Sequence, residues 1–238
     1  MGAPALKGQH GDTTTGLFLH FGYSYPDMIV WRHNVVRRVP YAVQVVLIAA
    51  IYFVAARMSL ALAIPPGYAT AVWPPSGIAL AAMLLLGRRL WPGIWIGAAA
   101  ANLTVEASAW SAMLFATGNT LEAVVGGTLI RRYVADPGRF ERAESVVTFI
   151  VLCASSAAIA ATVALLPLVS GHSLSWAELL RNWWTWWQGD VTGMIIVTPL
   201  ILSWSLGHAQ PWPRPKKLEL ACFGGLLLAA AAAISSDE

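Results

Sequence analysis

The amino-acid sequence predicts an all-α fold, a polytopic bundle of transmembrane helices, and three observations carry that reading. The chain has 238 residues, 57% hydrophobic and only 11% charged. Its apolar residues gather into seven runs, near Val43–Ile64, Gly77–Leu86, Ile94–Leu103, Met113–Ile130, Val146–Leu168, Trp183–Leu206 and Leu218–Ile234, each long or dense enough for a membrane segment. Threaded as alternating spans, these runs put thirteen of the fifteen lysines and arginines on one side. Positive charge marks the cytoplasmic side. The N-terminus is therefore expected inside and the Ser235–Glu238 tail outside. Residues 1–40 form an N-terminal segment, 41–234 the bundle and 235–238 a short tail.

The N-terminal segment contains Gly16–Trp31, too interrupted by glycine, proline and aspartate to span, yet rich in aromatic residues. It fits an interfacial element with rings at headgroup level, or a docking arm for a neighbouring subunit. His20 and His33 lie beside those aromatics, an arrangement that seldom ligates a porphyrin. The first span carries Arg57 within its apolar run. The second is short: Ser76 to Gly87 gives about 18 Å of helix against a hydrocarbon core of about 30 Å. The stretch before it, Pro65–Pro75, holds four prolines and is expected to be non-helical and packed on the bundle. Gly87-Arg88-Arg89-Leu90-Trp91-Pro92-Gly93 then reads as a tight turn, with Gly87 closing one helix and Pro92 near the start of the next. The third, fourth and fifth spans are rich in glycine and alanine, which let helix backbones approach closely. Trp183, Trp184, Trp186 and Trp187 stand where the sixth span begins. They fit an interfacial belt or an aromatic wall beside a ligand.

A pI near 9.1 raises nucleic acid as a partner, but the basic residues flank apolar spans and match topology and lipid headgroups instead. Cys153 and Cys222 lie in separate spans and suggest neither a disulfide nor a metal centre. No glycine-rich stretch has the lysine of a phosphate-binding loop, and no nucleophile, histidine and carboxylate fall together. No catalytic residue, metal ligand or cofactor is therefore expected. The polar residues inside the spans remain. A charge in hydrocarbon costs about 3 kcal/mol even on lenient scales, so each needs a partner. Arg57 and Asp190 both count to about 10 Å from the outer surface, Asn119 to about 12 Å and Glu122 to about 16 Å. Equal depth makes Arg57–Asp190 an expected ion pair, with Asn119 and Glu122 lining the cavity beside it. That cluster either locks the bundle or responds to a ligand or proton.

Three stretches in order, Ala71–Leu103, Gly118–Arg132 and Trp183–Trp204, resemble the type-one bacterial membrane-associated sensor domain (MASE). The resemblance covers about Tyr41 to Ile234. Trp73, Pro74, Pro75 and Gly77 match the family's first motif and Asn102 the end of the third span. Asn119 and Glu122 match the fourth span, and Gly189, Asp190, Gly193 and Pro199 the sixth. The resemblance implies an all-helical bundle of about eight spans in the bacterial inner membrane, serving as sensory input to kinases, diguanylate cyclases and phosphodiesterases. Seven spans starting inside would leave the C-terminus outside, with no output module in this sequence.

Three functions follow as expectations. The first is a sensor-type domain that takes up a stimulus without its own enzymatic output. The second is an accessory subunit of a larger membrane complex, using the bundle as a packing surface. The third is a transporter component, suggested by the proline-broken second span and the buried charges. Expected partners are membrane lipids and a protein or second copy within the membrane, not nucleic acid. A stoichiometric co-purifying complex would favour the subunit, and a longer product with a cytoplasmic catalytic domain the sensor.

Overall fold

The computed structural model describes residues 39–61, 72–105, 108–134, 142–171 and 175–205. They form six α-helices: α1 (Tyr41–Ala61), α2 (Pro74–Leu86), α3 (Trp91–Leu103), α4 (Ala109–Tyr133), α5 (Ala143–Gly171) and α6 (Trp176–Ser205). A 3-10 turn, Arg88–Leu90, joins α2 to α3. The expected all-helical architecture is present throughout the described residues. Three helices are long and apolar enough to cross a membrane, over Tyr41–Leu60, Ala109–Tyr133 and Ala143–Val169. The seventh expected span, the N-terminal aromatic segment and the prolines at 65 and 66 lie outside the described residues.

Packing orders the helices around α2. α1 packs on α3, α3 on α4, α4 on α5 and α5 on α6, while α2 touches α6, α4 and α1. Eight of the thirteen residues of α2 are buried, including Leu80 and Met83, so this short helix is the bundle's interior strut. Small residues make the packing possible. On α3, Gly93 and Gly97 face α1: a Cβ on Gly97 would come within 2.9 Å of the Tyr52 Cβ, and one on Gly93 within 2.7 Å of the Val45 carbonyl. Spacing of small residues by four is what close helix pairs in membranes use.

Local sequence explains where α2 and α3 begin and end. Proline lacks an N–H that the first helical turn would leave unbonded anyway. Pro74 and Pro75 accordingly open α2, and α3 opens on Trp91 and Pro92. This corrects the expectation that the whole of Pro65–Pro75 is non-helical, since its last two prolines initiate the helix. Gly87 ends α2 as expected, at φ 96°, donating its N–H to the Met83 carbonyl. Only glycine takes that backbone conformation without strain. At thirteen residues each, α2 and α3 reach about 20 Å, short of a hydrocarbon core of about 30 Å.

Candidate functional site

The N-terminus of α2 abuts the middle of α6, and the two are joined through backbone. Trp73 N–H donates to the Gly189 carbonyl at 2.9 Å. One turn along α6, Gly193 lies so close to Trp73 that a Cβ there would overlap the Trp73 carbonyl. A Cβ on Gly77 would in turn overlap the Gly193 carbonyl and approach the Val197 Cβ at 2.6 Å. Thr198, wholly buried, donates from Oγ1 to the Gly77 carbonyl at 3.0 Å. Pro199 follows it inside α6.

Side chains complete the joint. Ser76 Oγ, in the first turn of α2, donates to Asp190 Oδ1 at 2.5 Å. A carboxylate at a helix N-terminus also meets the positive end of the helix dipole. At the other end of α2, the Arg131 guanidinium, reaching from α4, donates to the Met83 and Leu84 carbonyls. The short helix thus has an acid at its N-terminus and a base at its C-terminus, the signs that its dipole favours.

Beside the joint lies a polar core. Asn119 Nδ2 donates to Tyr52 Oη at 3.1 Å, and the half-buried Trp73 packs against the cluster that holds Tyr52. Glu122, three residues along the same face of α4, is 1% exposed, and neither carboxylate oxygen has a hydrogen-bond partner. Asp190 lies within Coulombic range of Glu122 and of Tyr52. On the α5 side, the buried Cys153 is within the same range of Glu122.

Arg57 stands apart from this cluster. It does not pair with Asp190: its guanidinium is exposed and donates to Thr104 Oγ1 at 2.6 Å, at the end of α3. Depth along a helix says nothing about which face a residue occupies. On α1 the inward face carries Ile48, Tyr52 and Ala56, and Arg57 falls on the outward one beside Val54 and Met58. Asn102 also stays local, donating to the Ala98 carbonyl. The tryptophans divide. Trp187 donates to the Ala154 carbonyl at 2.7 Å, Trp183 donates to Thr162 Oγ1 at 3.1 Å, and Trp186 packs on Phe115 with centroids 4.8 Å apart. Trp184 is exposed while packing against the Trp187 ring. Three of the four thus tie α6 to α4 and α5.

Residues 44–236 match the model of the MASE1 family, the membrane-associated sensor domain 1. The chain belongs to the MASE1 family. No curated protein and no solved structure matches it significantly. As a MASE1 domain it is membrane-associated and of sensor type, and it contacts lipid. The apolar stripe of Val43, Val46, Leu47, Ile51, Val54 and Met58 on α1 offers surface for that contact.

The residues singled out by resemblance in the sequence take up physical roles here. Trp73, Pro74, Pro75 and Gly77 supply one half of the joint, and Gly189, Asp190 and Gly193 the other. Asn119 and Glu122 supply the core next to it. Tyr52, Ser76 and Arg131 complete the arrangement and were not singled out from sequence. Ser76 lies inside a motif stretch, and Tyr52 shares the phase of Ile48 and Ala56, so both carried a signal. Arg131 read as a topological charge, because its carbonyl partners are 47 and 48 residues away.

Proposed function

We propose that this MASE1 domain is a multi-pass input domain of the bacterial inner membrane, N-terminus inside, in which the α2–α6 joint and the adjacent Glu122 core are the responsive element. The observation that carries the reading is the Glu122 carboxyl group, buried with both oxygens unpaired, within Coulombic range of a second buried acid. An acid in such surroundings lowers stability relative to an apolar residue of similar size. A bundle built only for packing gains nothing from it, whereas a domain that must change state gains a group whose environment can be altered. The segregation of basic residues supports the orientation. The reading assigns recognition, not chemical turnover, to the site.

The test measures whether the bundle has two states. Nitroxide labels replace the exposed Trp91 and Leu200, with Cys153 and Cys222 changed to alanine, in the full chain reconstituted in nanodiscs. A sensor-type element gives two distance populations whose ratio changes with Asp190→Asn. One narrow population, unmoved by that substitution, would reject the reading in favour of a rigid packing subunit, and a stoichiometric partner on gentle solubilisation would reinforce that outcome.

A further inference from the structure

The bundle is an open row. α1, α3, α4, α5 and α6 pack in that order, and among the described residues the end helices α1 and α6 share no such interface, α2 alone joining them. α2 does not fill the gap it bridges. Its Gly77 is pressed on α6, its Leu80 and Met83 lie against Gly126 and Gly127 of α4, and Pro74, Ile78 and Leu85 are only half-buried. Spacings of four and seven put these last three on one face. The gap is therefore a lengthwise slot with Ile78 and Leu85 on its floor. Its walls are apolar and uncovered. On α1, the exposed Ile51 and Met58 share a stripe turned from Val45 and Ala49, which meet α3, and Val43 and Val46 remain beyond it for lipid. On α6, the exposed Ile196 and Leu200 stand beside Val197, which packs on Gly77.

Acyl chains are a poor filling for this slot. Val72 and Trp73 are non-helical backbone set against the middle of α6, and at membrane depth such backbone is tolerated only under protein. The ends of the slot indicate which protein. Trp73 meets Gly189 while Gly77, a turn later, meets Gly193 and Val197, so α2 and α6 run the same way. The Tyr41 hydroxyl donates to the Arg89 carbonyl, which brings the start of α1 to the end where α2 stops. The chain accordingly leaves α6 at Ser205 beside the mouth of the slot. Residues 206–217 reach at most about 40 Å. The next apolar run, Leu218–Ile234, makes about 25 Å of helix, enough to cover α2. Gly224, Gly225 and Ala229–Ala233 give that run small residues of the kind with which Gly93 and Gly97 seat α3 on α1. The MASE1 match continues to residue 236, so the run belongs to the same domain.

We propose that Leu218–Ile234 occupies the slot between α1 and α6 as the closing helix of the bundle, antiparallel to α6, parallel to α1 and lying over Ile78 and Leu85. Short connections set consecutive helices antiparallel side by side, and the slot flank of α6 is left open by α2 and α5. A helix so seated lies directly on α2, so movement at the α2–α6 joint would reach it, although the packing itself does not require that movement.

The experiment is cysteine cross-linking of the full chain in membranes, with Cys153 and Cys222 changed to alanine and a protease site within 206–217, so that cross-linked halves stay joined after cleavage. Single cysteines are moved through positions 223–233 against Leu200→Cys on one wall and Ile51→Cys on the other. Both series should give cross-links within one chain, with a yield that repeats about every 3.6 residues and peaks at different positions for the two walls. Val147→Cys, on the exposed face of α5, should give none. Should the Ile51→Cys series fail to fold, Leu85→Cys on the floor takes its place. Cross-links that join two chains would hand the slot to a second copy, and yields no higher than at Val147 would hand it to lipid. Either result overturns the proposal, as does cross-linking to one wall alone.

Discussion

Two helices in this molecule solve the same problem at their N-termini in opposite ways. The first turn of any helix presents N–H groups that find no partner within it. At α6 the solution is local and exposed: Ser175 Oγ accepts from the Glu178 N–H at 3.4 Å, and Glu178 Oε2 accepts from the Ser175 N–H at 2.8 Å. This reciprocal pair is a capping box. At α2 the solution is distant and buried. Two prolines remove N–H groups outright, no side chain caps the turn, and the Trp73 N–H just before it donates to the Gly189 carbonyl of α6. In water a cap needs only three neighbouring residues. In a packed interior the helix start is held instead by another helix at contact distance, and it becomes part of tertiary structure.

That contrast ranks the consequences of substitution. The largest effect is expected at Gly193→Ala, where a methyl group would meet the Trp73 backbone, which has no flexible end to move aside. The loss should reach about 3 kcal/mol or more on the scale of overpacking, read as unfolding in detergent. A fully tolerated alanine would show that α2 does not sit on α6 as described.

Next comes the Ser76–Asp190 hydrogen bond. A double-mutant cycle with Ser76→Ala and Asp190→Asn should return a coupling of about 2 kcal/mol, the range for a hydrogen bond to a charged group. The same method applied to Arg57→Leu and Asp190→Leu should return none, because the two do not meet. Coupling there would restore the ion pair and break the comparison.

Arg131→Ala should cost about 1 kcal/mol, the net worth of a typical hydrogen bond, since water can replace the guanidinium at the exposed Leu84 carbonyl. Protease sensitivity of the Gly87–Leu90 turn would report that loosening.

The smallest effect belongs to the exposed box. Hydrogen bonds from the Ser175 side chain and backbone hold the Glu178 carboxyl below its usual range. A depressed folded value means the contribution is present above the unfolded value and is lost as pH falls through the folded one. Amide exchange in the first turn of α6 should therefore quicken under acid, while the Trp73 amide at α2 should not follow. Equal acceleration at both would erase the distinction between them.

The same contrast governs what the sequence discloses. Helix identity, the Gly87 turn and the Pro92 start depend on neighbouring residues and were legible, whereas the start of α2 at Pro74 was missed because its prolines read as helix breakers. The capping box was missed: hydropathy put the start of that segment at Trp183, because Glu178 and Arg181 dilute the apolar signal just ahead of it. The motif residues were recognisable as a set, but their assembly was not. Asp190 and Ser76 meet only because Gly77 and Gly193 let two backbones touch, and that fixes an azimuth no depth count contains. Arg57 shows the converse error: the right depth on the wrong face.

The backbone hydrogen bond from Trp73 to Gly189 has a mechanical consequence. Neither group is a side chain with rotamers, so α2 cannot slide along α6 without breaking it. Its far end is held differently, by the long side chain of Arg131 rather than by a neighbouring backbone. Over the roughly 20 Å of this helix, at a rise of about 1.5 Å per residue, a tilt of about 5° at the Trp73 end would carry Gly87 by nearly 2 Å. The Tyr41 hydroxyl holds the Arg89 carbonyl at 2.8 Å, so such a stroke would reach the start of α1 as a pull.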